Sequence, residues 1–345
     1  MVMFGKVKKL TLFLTAVIAL ALITSGCGGS KEGASEQGEQ KDKIVVKFTH
    51  VVAESTPKGQ AALKFKEVLE EKSGGQFEVQ VYPSSQLYGD KEEQEQLLAN
   101  NVQFIAPSVT KLITFNPSFQ LVDMPFLFKD NNAAYKFFDG EQGQKLLKSL
   151  EPNGILGLAW WANGMKQFTD SKHPLKSPED FKGLKFRTQS GGVLDEQFKA
   201  LGAGSQTLAF AEVYQALQNG TVDGQENTFN NIDTQKYVEV QKYLTISNHG
   251  RLDYVVLTNT TFWSSLTPEQ QQMVTEAMNE ATAYERQLAD ELDATSFENI
   301  KNSGKVEIYE LTDEDRAKFI EALKPLYDKY AESIGQEYID AARNS

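Results

Sequence analysis

Two cations close to aromatic residues are the side chains of this sequence best suited to holding an anion. Arg187 ends the β-rich run of residues 183–187, and Lys166 follows the aromatic pair Trp160 and Trp161 after a few residues. An arginine side chain donates two parallel hydrogen bonds to a carboxylate and stays charged when it is buried. Taken alone, however, a strand arginine is more often exposed to solvent or paired with an internal acid.

The other residues that could carry chemistry form no catalytic or metal-binding pattern. The three histidines, His50, His173 and His249, lie far apart, and none has a second metal-type ligand at short helical spacing. The G-x-S-x-G and G-x-x-x-x-G-K motifs are absent. These absences argue against a metal site and make an enzyme less favoured without excluding one, and we expect no metal and no cofactor. The competing interpretation is an exported enzyme acting on a carboxylate, with Glu226 or His50 as its base.

The first half of the chain has the pattern of a β-α-β unit. Residues 44–50 are rich in strand formers, a helical stripe runs from Pro57 to Gly74, and apolar residues alternate over 77–81. The same pattern of helix and strand repeats over residues 90–106. It predicts a first lobe with a mostly parallel sheet covered by helices.

A second set of elements begins after Gly154. Residues 184–187 alternate as in a strand, and two helical stripes follow, of which the second ends at Asn219 and Gly220. These elements predict a second α/β lobe.

One long helix is predicted towards the C-terminus. Residues 267–270 form a capping box, and neither proline nor glycine occurs from Glu269 to Asn302. A helix of about 35 residues extends roughly 50 Å and could span the backs of both lobes. A coiled-coil arm is the alternative, although it has too few strong hydrophobic residues at the a and d positions. The predicted buried stripe consists of Met273, Ala277, Ala281, Tyr284, Leu288 and Leu292.

The N-terminus has the pattern of a lipoprotein signal peptide. A lysine-rich start precedes the apolar run of residues 10–23, which is shorter than the roughly 20 residues of a membrane-spanning helix. Cys27 is the only cysteine and follows a lipobox-like segment in which Thr24 replaces the usual leucine. We predict a cleaved signal peptide over residues 1–26, a lipid anchor on Cys27 and a flexible tether over residues 27–43. The alternative is an uncleaved anchor with an ordinary thiol.

The charge of the chain excludes one class of partner. With 47 acidic and 35 basic residues, the formal net charge is −12. A strongly acidic protein is a poor partner for nucleic acid. An anionic ligand is still compatible with this charge, because the field of distant surface residues is screened within about 8 Å at physiological salt.

Five motifs distributed along the chain carry a resemblance to a known family. They are FTHVVAE with TPKG (residues 48–59), FIAPS (104–108), WANGMKQ (161–167), GLKFR (183–187) and VDGQEN (222–227). Together they resemble the extracytoplasmic solute-binding proteins of tripartite ATP-independent periplasmic (TRAP) transporters, over about residues 44–330. The first two motifs are most similar to the dicarboxylate-binding (DctP-type) branch, which takes succinate, fumarate and malate.

The resemblance implies a particular α/β architecture. It is a two-lobed, periplasmic-binding-protein-like fold with crossing hinge strands and a long helix backing both lobes. The implied lobe I comprises about residues 44–164 plus 253–292, and the implied lobe II comprises about 165–252 plus 293–345.

The resemblance also implies roles for individual residues in the ligand site. Arg187 corresponds to the principal carboxylate clamp, which agrees with the chemistry of its side chain. Asn227 matches a position whose amide bonds the ligand, and Phe210 matches an aromatic that packs on it. Lys166 stands where many relatives have arginine, so a second carboxylate would be held less rigidly.

Two further residues, His50 and Ser108, lie in segments that match the pocket lining of the family. Each could donate a hydrogen bond to the ligand, and each has a purely structural alternative. Thr228 replaces a common proline after the Glu-Asn pair, which alters the expected local turn.

The implied function is capture without chemistry. A small dicarboxylate would bind between the lobes of a protein anchored outside the cytoplasm through lipid on Cys27, and the closed protein would deliver it to a TRAP permease in the membrane. Two alternatives remain within the binding class. The ligand could be another organic acid such as a sugar acid, or the protein could be a ligand-sensing accessory to a membrane kinase.

Overall fold

The computed structural model describes residues 43–345. The predicted signal peptide, Cys27 and the tether up to residue 42 lie outside these residues. Within them, none of the helices combines the length and the apolar character that crossing a bilayer requires.

Strands form wherever the sequence alternates or concentrates β-branched and aromatic residues, and in the described part of the chain they join one mixed sheet. The strands are β1 (Ile44–Thr49), β2 (Phe77–Tyr82), β3 (Phe104–Ile105), β4 (Ile155–Asp170), β5 (Lys185–Thr188), β6 (Gly204–Thr207), β7 (Gly224–Asn227), β8 (Tyr243–Asn259) and β9 (Glu307–Glu310). Their order is β2-β1-β3-β8-β4-β7-β5-β6, with β9 beside β8.

Twelve helices in residues 43–345 accompany this sheet. They are α1 (Pro57–Lys72), α2 (Glu93–Leu98), α3 (Asn131–Asp139), α4 (Glu141–Lys148), α5 (Val193–Ala200), α6 (Val213–Gln218), α7 (Phe229–Thr234), α8 (Thr260–Ser265), α9 (Pro268–Ser303), α10 (Asp313–Leu323), α11 (Pro325–Ile334) and α12 (Gln336–Arg343).

The long strands β4 and β8 connect the two halves of the sheet. They pair antiparallel from Ile155 opposite Asn259 to Asp170 opposite Tyr243, with irregularities that include one between Ala162 and Gly164. In one half, β1 is parallel to β2 and β3; in the other, β5 is parallel to β6 and β7. The predicted two-lobed α/β fold with crossing strands is therefore confirmed.

The predicted elements of the first lobe are present, with two of them shorter than expected. Thr56 caps α1 by accepting a hydrogen bond from the backbone N–H of Gly59, and Pro57 occupies the first turn, where its missing N–H is not needed. The helix expected over residues 90–100 is limited to α2, and the strand expected over 102–106 is limited to the two residues of β3.

The long helix α9 backs both halves of the sheet, as predicted. Thr267 forms the capping box with Gln270, and Gly304 ends the helix in a left-handed conformation. The helix contacts α1 on one side of the molecule and α7 on the other, with β4 between them.

The predicted buried stripe of α9 was partly wrong. Met273, Tyr284, Leu288 and Leu292 are only partly buried. Small side chains occupy the contact instead, because they let the helix approach β4 and α1 closely. The buried residues are Val274, Ala277, Met278, Ala281, Glu285, Ala289, Ser296 and Ile300.

The C-terminal helices contact both halves of the molecule. Helix α12 packs against α3 and α4, while α11 packs against α5 and the helical turn at Pro117–Asp123. The lobe boundaries implied by the sequence remain a prediction, and these contacts show that residues 313–343 reach beyond the implied lobe II.

Candidate ligand-binding site

A central cavity lies where strand ends from the two halves of the sheet meet. It contains about 290 Å³ of space not occupied by protein atoms, part of which is open to solvent. Its lining combines cations, one acid, neutral polar groups and apolar side chains. The lining residues are Val51, Val52, Asp90, Ser108, Lys111, Arg187, Gln189, Phe210, Asn231, Leu252 and Tyr254.

Arg187 supplies a fixed positive charge in the wall of the central cavity. It lies on β5 and is 2% exposed. Its Nε and Nη2 atoms donate hydrogen bonds to the carbonyl oxygen of Leu208, at 3.1 and 2.9 Å. Burial lowers the pKa of Arg187, but a guanidinium group stays protonated in proteins. No carboxylate of residues 43–345 lies within ion-pair distance of it, although Asp90 and Glu226 act on its charge from further away.

Lys111 is a second cation in the lining of the central cavity. It lies on the helical turn Val109–Leu112, which follows β3. Its Nζ lies 3.8 Å from Oδ2 of Asp90, which also lines the cavity. Burial lowers the pKa of Lys111, and the nearby Arg187 contributes in the same direction. The cavity therefore presents two cations and one acid to a ligand.

Neutral polar groups from two distant segments meet beside these charges. The hydroxyl of Ser108 donates to Oε1 of Gln189 at 2.8 Å, and the hydroxyls of Thr110 and Ser190 contact each other. Because Ser108 follows β3 and Gln189 follows β5, these contacts join the two halves of the molecule across the cavity.

Phe210 forms the aromatic part of the lining, at the start of the helical turn Phe210–Glu212. Its ring is 8% exposed, and its backbone N–H donates to Oδ2 of Asp90 at 2.6 Å. Of the sequence-predicted site residues, the structure thus brings Arg187, Ser108 and Phe210 together in the cavity lining.

Lys166, in contrast, is not part of the cavity lining. It is 1% exposed, and its Nζ pairs with Oε1 of Glu226. Gly250, which is opposite Lys166 in the sheet, leaves room for the lysine stem, because a Cβ at that position would lie 2.9 Å from Cε of Lys166. The structure therefore places the predicted second carboxylate-binding cation in an internal ion pair.

The acid that pairs with Lys166 belongs to a fully buried network. Glu226 Oε2 accepts a hydrogen bond from Nε2 of Gln197 and contacts Nε2 of His249, both at 2.8 Å. Burial alone would raise the pKa of Glu226, but Lys166 and His249 hold it far below its usual range. Glu226 is thus a stable carboxylate with three partners, which makes it poorly suited to act as the base of an enzyme.

Asn227 does not line the cavity but contacts Asn231, which does. Its Oδ1 accepts from Nδ2 of Asn231 at 2.8 Å and from the backbone N–H of Thr228 at 3.2 Å. Asn231 lines the cavity and lies four residues further along the chain. In this structure Asn227 therefore orients Asn231 at the cavity wall.

His50 is fully buried and does not line the cavity either. Its successors Val51 and Val52 reach the cavity, while neither ring nitrogen has a hydrogen-bond partner among residues 43–345. Burial lowers the pKa of His50 to about 3, and the cation of Lys58 adds to this effect. The imidazole is therefore neutral at physiological pH.

Lys58 is a cation that sequence reasoning did not assign to the site. Its Nζ donates to the carbonyl oxygen of Ala106 at 2.9 Å and lies 3.6 Å from the centre of the Tyr254 ring. Tyr254 lines the cavity, so this buried cation lies directly behind its wall.

Other lining residues were missed although the sequence carried signals for some of them. Gln189 follows Arg187 by two positions, which is the spacing of side chains on one face of a strand. Lys111 follows the FIAPS motif by three positions. Tyr254 and Leu252 lie on β8 and reach the cavity lining only because of how this strand pairs in the sheet. The local sequence gives no signal for that pairing.

The fold and the cavity together define a solute-binding protein, since two α/β halves linked by long strands enclose a small charged cavity between them. The comparison with known families agrees. The chain belongs to DctP, the bacterial extracellular solute-binding protein family 7, whose family model matches residues 48–333.

Individual relatives cover most of this chain. The C4-dicarboxylate-binding periplasmic protein DctP of Rhodobacter capsulatus is 47% identical over 88% of this chain and 91% of its own length. A TRAP periplasmic solute-binding protein from Shewanella oneidensis, solved with bound succinate, has a TM-score of 0.86 and 44% identity over 88% of this chain and 99% of that chain.

A more distant solved structure has nearly the same fold similarity. The sugar acid binding protein DctPAm of Advenella mimigardefordensis, in complex with galactonate, has a TM-score of 0.85 and 30% identity, covering 88% of this chain and 99% of that chain. The resemblance stated from the five sequence motifs is thereby confirmed at the level of the family.

Proposed function

We propose that this protein captures a small dicarboxylate outside the cytoplasm and delivers it to a TRAP-type membrane permease. The observation that carries the proposal is the buried guanidinium of Arg187 in the wall of the central cavity, which has no direct ion-pair partner among residues 43–345. A buried charge without a counter-ion is costly, and a ligand carboxylate would supply that counter-ion.

The first carboxylate of the ligand would bind to Arg187. The Nε and Nη2 atoms are already engaged by the carbonyl of Leu208, so the remaining donors of the guanidinium are available to a ligand. This engagement also fixes the plane of the guanidinium before the ligand arrives, which reduces the entropy lost on binding.

The second carboxylate would bind to Lys111. This assignment replaces Lys166, which is paired with Glu226 and does not line the cavity. Lys111 does line the cavity, and its own ion pair with Asp90 is looser, at 3.8 Å. The cation of Lys58 behind Tyr254 would add to the positive potential without a direct contact.

The size of the cavity supports a small ligand. The space that is not occupied by protein atoms is only about 290 Å³, and part of it is open solvent. Two cations at the wall suit a compact diacid better than a monocarboxylate of similar size.

A sugar acid is the second candidate ligand. Ser108, Gln189 and Asn231 provide neutral polar groups that could bond ligand hydroxyls. The relative that binds galactonate is 30% identical to this chain, however, whereas the one solved with succinate is 44% identical. The diacid is therefore the ligand we propose.

Membrane attachment is a separate part of the proposal. The lipobox-like segment before Cys27 supports a lipid on this residue, which would keep the binding protein near its permease. Mass spectrometry of the N-terminal peptide from the native membrane fraction tests this directly. A diacylated Cys27 is expected, and an unmodified thiol on an uncleaved N-terminus would contradict it.

The ligand is tested by calorimetric titration of the purified protein with succinate, fumarate, malate and galactonate, with each acid analysed by NMR afterwards. We expect saturable binding of the diacids, weaker binding of galactonate and recovery of every acid unchanged. Tighter binding of galactonate would establish the sugar-acid alternative. Conversion of an acid to a product would mean that the protein is an enzyme.

A further inference from the structure

An acid in the wall of an anion-binding cavity needs an explanation, because it repels the ligand carboxylates. Asp90 is such an acid: it lines the central cavity, and its side chain is 5% exposed. It lies in the loop between β2 and α2, in the other half of the molecule from the segment that carries Phe210.

Both neighbours of the Asp90 carboxylate are part of the cavity lining. Its Oδ2 accepts a hydrogen bond from the backbone N–H of Phe210 at 2.6 Å and lies 3.8 Å from Nζ of Lys111. The same oxygen therefore faces the aromatic residue and the second cation of the site.

The N–H of Phe210 has no partner within its own segment. Phe210 starts a helical turn, and the first N–H groups of a helical turn have no acceptor inside it. Glu212 satisfies the preceding N–H, that of Ala209, with its own Oε2 at 2.9 Å. Asp90, which belongs to the other half of the molecule, accepts the hydrogen bond from the next N–H, that of Phe210. It therefore caps the turn by a contact between the two halves.

We propose that Asp90 is a positioning residue whose hydrogen bond with the Phe210 N–H holds the central cavity closed around its ligand. The inference rests on the proposed function of ligand capture. With the halves apart, the Asp90 carboxylate and the Phe210 N–H would each be bonded to water. They pair only on closure, so the bond stabilises the closed form and slows ligand release without touching the ligand.

The test compares two substitutions that remove the same charge. Asp90→Asn keeps an acceptor oxygen where Asp90→Ala has none, so any effect of charge on the anionic ligand is common to both. Stopped-flow dissociation of succinate should be about five- to tenfold faster for Asp90→Ala than for Asp90→Asn, as expected for the loss of one hydrogen bond. The two association rate constants should be equal.

Lys91→Gln is the matched control. Lys91 adjoins Asp90, and its Nζ lies 3.3 Å from Glu212 in a pair that joins the same two segments, but both side chains are largely exposed. An exposed ion pair contributes little, so succinate should dissociate from this variant within about twofold of the wild-type rate. The unfolding temperatures of the two Asp90 variants without ligand should be equal.

Two results would overturn the inference. Equal dissociation rates for the Asp90 variants would show that the hydrogen bond to Phe210 does not hold the cavity closed. A difference that is confined to the association rate or to ligand-free unfolding would assign Asp90 a merely structural role. Failure of the wild-type protein to bind succinate would instead contradict the proposed function itself.

Discussion

Arg187 and Lys166 are both buried cations, but their surroundings differ. Arg187 is 2% exposed and donates to the carbonyl of Leu208, with no ion-pair partner among residues 43–345. Lys166 is 1% exposed and pairs with Glu226. Cation type and burial are therefore insufficient to identify a ligand-binding residue. What distinguishes Arg187 is the missing counter-ion, which a bound carboxylate would provide.

The buried acid Glu93 responds to burial differently from Arg187, even though the cation Lys58 acts on it favourably. Neither carboxylate oxygen of Glu93 has a hydrogen-bond partner among residues 43–345, and burial raises the pKa of this group to about 8. Such an acid becomes neutral by taking up a proton, but an arginine cannot become neutral by losing one. We therefore expect Arg187 to favour an external anion as its direct partner.

The largest effect that the comparison predicts is on stability. Lys166→Met leaves the Glu226 carboxylate buried without its cation, and removal of one partner from a buried ion pair costs about 3–5 kcal/mol. Urea denaturation of the variant and the wild-type protein measures this loss. The double variant Lys166→Met, Glu226→Gln should recover most of the stability, because it leaves no unpaired charge.

The affinity of Lys166→Met for succinate tests whether Lys166 contacts the ligand or serves only in the ion pair with Glu226. Calorimetry should give a dissociation constant for succinate within about threefold of the wild-type value, since a difference of 0.6 kcal/mol or less is expected for a residue outside the cavity. Complete loss of succinate binding by a folded Lys166→Met protein would restore the sequence-based assignment of Lys166 as the second cation of the site.

The second-largest effect is expected at Lys111, to which we assign the role first predicted for Lys166. Lys111→Gln removes one charge-assisted hydrogen bond to the ligand, which is worth about 1.5–3 kcal/mol, or roughly 10- to 100-fold in affinity. Calorimetry with succinate and with the monocarboxylate butyrate should show a larger loss for the diacid. Equal losses for the two acids would mean that Lys111 does not bind the second carboxylate.

The third and smallest effect is a pH dependence at Asp293 on α9. Its Oδ1 accepts from the backbone N–H of Asn230 at 3.0 Å, yet burial raises its pKa from 3.8 to about 7. The unfolded chain loses this proton near pH 4 and the folded protein near pH 7. The contribution to stability is therefore complete below pH 4 and is lost as the pH rises to 7.

The substitution Asp293→Asn imitates the protonated acid and should remove this dependence. Between pH 6 and pH 8, the free energy of unfolding of the wild-type protein should fall by about 1.4 kcal/mol more than that of the variant. Denaturation of both proteins at the two pH values gives the difference. Parallel changes would show that Asp293 does not titrate in this range.

The elements with strong local signals were predictable from the sequence. The capping box at Thr267 and the absence of proline and glycine beyond Pro268 defined α9 to within a residue, and the alternation over residues 77–81 defined β2. The buried face of α9 was harder to predict, because its second half buries Glu285, Ala289 and Ser296, whereas the sequence pattern favoured Leu288 and Leu292.

The site was predictable only in part, because charge pairing is a long-range property. Arg187, Phe210 and Ser108 were proposed from motifs, and all three line the cavity. The pairing of Lys166 with Glu226 joins residues that are 60 positions apart, so no local pattern could reveal that this cation is already compensated.

The most direct test of the central claim is calorimetric titration of Arg187→Lys and Arg187→Ala with succinate, alongside the wild-type protein. If the buried guanidinium holds a ligand carboxylate, Arg187→Ala should show no measurable binding. Arg187→Lys should bind weakly, because an ammonium keeps the charge but lacks the planar set of donors. Succinate binding by folded Arg187→Ala with wild-type affinity would contradict the account.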